Sequence, residues 1–219
     1  MDKRAIVFVN GEMEDNGFAL EIIKEDDWVV AVDGGLRHLM GVQRLPNLLI
    51  GDLDSITSGE LAAVSEKGIE ILRFPEEKDE TDLELVLRET ASRGYKTILI
   101  AGALGGRIDQ LLANLFLLML PELQGLDVRI VDRCQEIFLI RTNVKISGQA
   151  GDIVSLIPLK DSAAGISTTG LKYPLSEETL LIERSRGVSN RMVEPHALVT
   201  LKNGCLLCIH SWFDRKESL

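Results

Sequence analysis

In the stretch LLIGDLDSI, Leu48 to Ile56, a short apolar run stops at Gly51 and two carboxylates follow at Asp52 and Asp54. On extended backbone, residues two apart point the same way, so the pair would repel and raise each other's pKa unless a cation lay between them. Mg²⁺ suits that place, because it takes one or a few carboxylates and completes its shell with waters and phosphate oxygens. A turn explains the same residues: Asp54 and Ser55 cap the next turn of chain, and Asp52 is solvated. D-x-D alone does not separate the two readings.

A second acidic loop, PEEKDETDLE at 75–84, carries Glu76, Glu77, Asp79, Glu80, Asp82 and Glu84 around Lys78 and Thr81. Thr81 reads as the N-cap of a helix whose first turn holds Asp82 and Glu84, where the dipole favours acids. That accounts for Thr81 and Glu84 and leaves the rest of the acidity unexplained, unless a cation is held there. GALGGRIDQLLANL at 102–115 places Gly102, Gly105 and Gly106 before Arg107. Such glycines let backbone N–H groups approach an anion, and a helix N-terminus attracts one. Arg107, Gln110 and Asn114 fall at i, i+3 and i+7, a polar stripe that faces either ligand or solvent. The spacing fits neither common nucleotide-binding glycine fingerprint. VDGG at 32–35 is weaker, since Asp33 could simply cap a helix with Gly34 and Gly35 as its turn. His38, His196 and His210 have no evident catalytic partners in the sequence.

These segments need elements to position them. Apolar runs at 5–9, 28–32, 47–50, 69–74, 96–101 and 127–131 read as strands, and helical patterns at 16–25, 35–43, 58–67, 81–93 and 107–120 lie between them. Alternation of this kind predicts a parallel sheet covered by helices, with strands buried on both faces. All four loops then follow strands at their carboxyl ends, where open α/β sheets bind ligands. Ser58 and Thr81 are expected to open helices and Gly68 and Gly94 to close them. The run Leu111–Leu120 reads as a buried helix, well short of the ~20 residues that span a bilayer.

After residue 133 the texture changes to short β-rich pieces punctuated by turns, the pattern of a small sandwich or barrel. The expected organisation is a parallel-sheet α/β N-terminal domain at 1–132 and a C-terminal all-β sandwich domain at 133–219. Tyr173 and Trp212 are expected in the sandwich core.

A formal charge of −10 disfavours nucleic acid and anionic lipid as partners, because phosphates are bound by excess Lys and Arg. The opening MDKRAIVFVNGE has too short an apolar run for a signal peptide, which predicts a cytoplasmic protein. Cys134, Cys205 and Cys208 are an odd set that suits a reducing compartment, and the C-x-x-C at 205–208 sits in an apolar run, as core thiols would.

With these loops named, the sequence closely resembles the thiamine pyrophosphokinases of bacteria. The matching elements are VDGG at 32–35, GDLDSI at 51–56, KDETDLE at 78–84 and GGRIDQ…AN at 105–114, with TTGLKYPL at 168–175 and GVSN at 187–190 in the second half. The resemblance covers nearly the whole chain, in the family's order. It implies an α/β domain and a sandwich, and a homodimer with active sites at the subunit interface. It also implies transfer of pyrophosphate from Mg-ATP to the hydroxyl of thiamine, giving thiamine diphosphate and AMP. Carried over by residue, Asp52, Asp54 and Asp82 would bind Mg²⁺ and act in catalysis with Arg107 and Asp109. Asp33, Gly34, Gly35, Lys78, Asp79, Thr81, Gly105, Gly106, Gln110 and Asn114 would line the ATP site. Ser189 and Asn190 would contact thiamine. The chain departs from the family where some members carry His in place of Gln110, and where relatives continue Ser-Asn-Glu but this chain has Arg191 after Asn190.

Two other readings use some of the same residues. A D-x-D nucleotide-sugar transferase accounts for Asp52 and Asp54 but not for the glycine–Arg107 loop beside a β-rich half. A non-catalytic ligand-binding protein on the same fold would bind without releasing AMP.

Overall fold

Strand-length apolar runs stopped by Gly, Asn or Asp shape the first half of the chain. The computed structural model describes residues 3–13 and 17–212, in two units, Met1–Asp132 and Arg133–Leu219. In the first, six strands run parallel: β1 (Arg4–Phe8), β2 (Trp28–Val32), β3 (Leu48–Gly51), β4 (Glu70–Arg73), β5 (Thr97–Ala101) and β6 (Asp127–Val131). Their order is β6-β5-β1-β2-β3-β4. The chain steps outward from β1 to β4 and then crosses back to the other side of β1 for β5. The direction therefore reverses between β1 and β5, the switch point at which such sheets open a crevice. Register aligns the carboxyl ends: Phe8 pairs with both Ala31 and Ala101, and Val32 with Ile50.

Helices α1 (Gly17–Ile22), α2 (Leu36–Met40), α3 (Ser58–Glu66), α4 (Asp82–Ser92) and α5 (Ile108–Leu117) fill the connections. Burial falls toward one edge of the sheet. Ala5 to Phe8 of β1 are fully buried, whereas Glu70 and Arg73 of β4 are exposed, as an edge strand allows. Two helix starts differ from expectation. The cap of α3 is Thr57, one residue before Ser58, because Thr57 and Glu60 form a reciprocal capping box: the Thr57 amide donates to Glu60 Oε2 at 2.8 Å and the Glu60 amide to Thr57 Oγ1 at 3.3 Å. Such a cap contributes about 1 kcal/mol, and Ser58 lacks the carboxylate at the matching spacing. Asp33 caps no helix, since α2 starts after a 3-10 turn at Asp33–Gly35 with no side-chain cap.

The expectation of a buried helix at 111–120 is overturned. No residue of α5 is buried, and Ile108, Leu112 and Phe116, at i, i+4 and i+8, are 74, 46 and 50 % exposed. Apolarity reveals that a helix face needs a partner; it does not reveal whether the same chain supplies one.

The second unit is all β. Strands β7 (Gln135–Ile140), β8 (Val144–Ser147), β9 (Ile153–Pro158), β10 (Ala163–Thr169), β11 (Glu178–Leu180), β12 (Asn190–Arg191), β13 (His196–Thr200) and β14 (Leu206–Ser211) form two antiparallel arrays. One runs β12-β9-β14-β7 and the other β11-β10-β13-β8. One core takes residues from both, with Phe138, Leu156 and Leu206 from the first and Ile146, Ile166 and Val199 from the second, which makes the unit a sandwich. Cys208 lies in that core. His210, expected without partners, is buried with Nδ1 3.1 Å from Glu136 and Nε2 3.2 Å from Asp152. His38 likewise has one, the Gly11 carbonyl at 2.9 Å. Sequence spacing could not reveal these contacts, which join separate elements.

Candidate functional site

The strand ends of the first unit surround a cleft of about 540 Å³. Glycines make its floor possible. A Cβ on Gly35 would stand 2.1 Å from the Phe8 carbonyl, and one on Gly102 (φ +73°) 2.4 Å from that of Val9. A Cβ on Gly34 would strike the Asn10 side chain at 2.1 Å. Gly34 and Gly35 are therefore buried packing glycines and do not line the cleft. Gly105 (φ +80°) and Gly106 (φ +68°) do line it, with open space where a side chain would be.

Five acidic residues line this cleft, Asp33, Asp52, Asp54 and Asp82 together with Glu12, and Thr81 stands among them. The loops after β2 and β3 are locked to each other: Asp33 Oδ1 accepts from the Leu53 amide at 3.0 Å. Both residues hold left-handed backbone, at φ +44° and +67°, strain of a kind that gathers at functional sites. Burial pushes the Asp33 carboxyl up to about 7, and the nearby charges of Asp82 and Asp52 add to that against the lowering by the Leu53 N–H. The Asp54 amide donates to Asp52 Oδ1 at 2.9 Å, so turn and acidic pair coexist in the same residues. Thr81 caps α4, accepting from the Glu84 amide at 3.2 Å, and this sets Asp82 at the helix start.

Asp82 Oδ1 is buried with no well-directed hydrogen bond, although the Lys78 ammonium stands 3.0 Å away as an ion pair. A carboxylate oxygen in that state, among acids whose charges oppose one another, suits a cation. Among the described residues no three Asp, Glu, His or Cys side chains already stand as a ligand set. A cation here would need ligand atoms from water or substrate, as Mg²⁺ commonly does.

The opposite wall comes from the loop after β5 and from α5. Arg107, Gln110 and Asn114 line the cleft, so the polar stripe faces the site. Asn114 Nδ2 donates to the Ala103 carbonyl at 3.0 Å and pins the glycine loop. Arg107 grips Asp109 through two bonds of 3.1 and 2.6 Å, which holds the Asp109 carboxyl below the usual range. Asp109 does not line the cleft, and neither do Asp79 and Lys78. Sequence reasoning missed the loop after β1, whose Asn10, Gly11 and Glu12 line the site. The signal was present, an Asn-Gly at a strand's carboxyl end, and it reads equally well as a plain turn.

In the second unit the two motifs at 168–175 and 187–190 come together. Asn190 clasps Tyr173 at both backbone groups, accepting from its amide at 3.0 Å and donating to its carbonyl at 2.7 Å. Tyr173 is thereby held 54 % exposed, which corrects the expectation of a core residue: the clasp fixes the backbone and leaves the residue at the surface. Trp212 is half-buried, its indole N–H donating to the Arg133 carbonyl at 2.9 Å. Ser189, left-handed at φ +60°, is exposed and donates its amide to Ser155 Oγ at 3.0 Å.

Residues 19–130 match the family model described as the thiamin pyrophosphokinase catalytic domain, and residues 140–206 match the thiamin pyrophosphokinase vitamin B1 binding domain. The thiamine pyrophosphokinase of Bacillus subtilis is 26 % identical over 185 residues, covering 83 % of this chain and 86 % of that one. Thiamine pyrophosphokinase 3 of rice is 29 % identical over 71 % of this chain, which spans 62 % of the rice protein's length. Among solved structures, the Bacillus subtilis thiamine pyrophosphokinase superposes with a TM-score of 0.87 at 24 % identity, over 96 % of this chain and all of that one. The yeast enzyme superposes with 0.79 at 19 % identity, over 100 % of this chain and 89 % of that one. At such identities the superpositions speak for the fold.

Proposed function

The chain belongs to the thiamine pyrophosphokinase family, and we infer from this that it transfers the pyrophosphoryl group of ATP to the hydroxyl of thiamine. The hydroxyl oxygen bonds to the β-phosphorus, the bond between that phosphorus and the oxygen bridging it to the α-phosphate breaks, AMP leaves, and the hydroxyl proton is lost. The single observation that carries the location of the chemistry is the convergence of Asp33, Asp52, Asp54, Asp82 and Arg107 on one cleft at the sheet's switch point. A triphosphate needs cations and amide donors on its oxygens, and Arg107 with the Gly105–Gly106 backbone supplies both from one wall. The acidic wall would repel a bare triphosphate.

Asp52, Asp54 and Asp82 would hold Mg²⁺. When bound, that ion neutralises phosphate charge and polarises the β-phosphorus. Asp33 braces the Asp52–Asp54 loop through its bond to Leu53, and Thr81 sets the direction of Asp82 through the cap of α4. Gln110 and Asn114 orient the nucleotide, and Ser189, Asn190 and the Tyr173 loop form the thiamine side. The active form in this reading is a homodimer, favoured by the exposed stripe Ile108, Leu112 and Phe116. No described helix is long and apolar enough to cross a membrane, and the cytoplasm is the location we assign.

Incubation of the pure protein with ATP, Mg²⁺ and thiamine tests the reading. Thiamine diphosphate and AMP are expected in equal amounts; ligand binding without AMP would contradict it.

A further inference from the structure

Lys78 lies outside the cleft lining, yet its ammonium is bound into the acid cluster. Nζ stands 3.0 Å from Asp82 Oδ1 and donates to the Pro75 carbonyl at 3.0 Å. The two side chains are 12 and 23 % exposed. Asp52 and Asp33 lie close enough to act on the same charge. An exposed lysine–aspartate pair four residues apart contributes little. This one is mostly buried, and it shares its acid with the proposed metal site. A divalent ion approaching Asp82 therefore meets a carboxylate already neutralised, and a like charge about 3 Å from the oxygen it needs.

We propose that Lys78 is a resident competitor of the divalent cation, holding Asp82 until a polyphosphate arrives and offers the ammonium other oxygens. The proposal rests on the metal reading of Asp52, Asp54 and Asp82. Its consequence is coupling: metal and polyphosphate each strengthen the binding of the other, because either one removes a partner that the other must displace. Lysine suits the exchange, being a point charge on a flexible four-carbon stem that can leave one oxygen for another.

Mn²⁺ binding, followed by electron paramagnetic resonance on the full chain, is the test. Wild type, Lys78→Met and Lys78→Gln are compared with Mn²⁺ alone and with added inorganic pyrophosphate, correcting for the binary Mn–pyrophosphate complex. With Mn²⁺ alone, either neutral variant is expected to bind about tenfold more tightly than wild type, the effect of deleting a nearby like charge. Pyrophosphate should strengthen Mn²⁺ binding to wild type and do so far less in the variants, while Lys78→Arg keeps the wild-type pattern. Equal Mn²⁺ affinity in wild type and both neutral variants would overturn the inference and leave the metal reading standing. No Mn²⁺ binding to any of the proteins would remove both.

Discussion

Asp33 Oδ1 and the Leu53 amide meet at 3.0 Å, and that bond fixes the loop after β2 against the loop carrying Asp52 and Asp54. The contact depends on a missing side chain: a Cβ on Gly51, at φ +145°, would stand 1.9 Å from the same Asp33 oxygen. Gly51→Ala should therefore lower stability by about 1–3 kcal/mol, the range of a strained backbone position joined to a steric clash. Urea unfolding measures it, and an unchanged midpoint would mean that the two loops do not pack against each other.

Asp33 also predicts a pH dependence. Its folded pKa, about 7, is raised from an ordinary 3.8. Between these values the unfolded chain has released a proton that the folded one keeps, so this group's contribution to stability falls as pH rises from about 4 to about 7 and then levels off. Asp33→Asn keeps an acceptor for the Leu53 amide and cannot ionise. Without divalent ions, the variant should match or trail wild type at pH 4 and gain on it steadily up to pH 7. Thermal melts across that range give the difference; a gap independent of pH would contradict the assignment.

Asp52→Asn and Asp54→Asn preserve shape and remove charge. Each is expected to lower kcat by about a hundredfold or more, the scale of deleting a major electrostatic contact to a transition state, while leaving the far-UV spectrum and melting temperature near wild type. Wild-type rates at limiting Mg²⁺ would show that these carboxylates do not hold the ion.

In the sandwich, Asn190→Ala releases both ends of the clasp on Tyr173. KM for thiamine should rise about tenfold, a loss on the scale of one or two hydrogen bonds, with KM for ATP unchanged. Steady-state kinetics with each substrate varied in turn distinguishes this from a general loss of stability, which would not discriminate between the substrates.

The parallel sheet was legible because its central strands are buried on both faces and leave near-continuous apolar runs, as at Trp28–Val32. The bounds observed there and at Asp127–Val131, where Asp127 and Arg129 interrupt the run, coincide with those read from sequence. The convergence of loops was legible for the same reason: once strands are placed, their carboxyl ends share an edge. Other features depend on partners distant in sequence. The Asp33 carboxylate turned from capping α2 to bracing Leu53, which only the pairing of β2 with β3 brings near. The apolar run in α5 gave no hint that its face would remain open, because composition does not specify which chain will cover it. His210 gained Glu136 and Asp152 across 74 and 58 residues, beyond the reach of any local pattern. Tyr173, apolar enough for a core, is held outward by an asparagine 17 residues away.

In the proposed reaction the pyrophosphoryl group moves as one unit from ATP to thiamine. Supplying ATP labelled with ³²P at either the α or the β position, with Mg²⁺ and thiamine, tests it most directly. β label is expected in thiamine diphosphate and α label in AMP, with no ADP and no thiamine monophosphate accumulating. β label retained in ADP, with thiamine monophosphate formed, would contradict it.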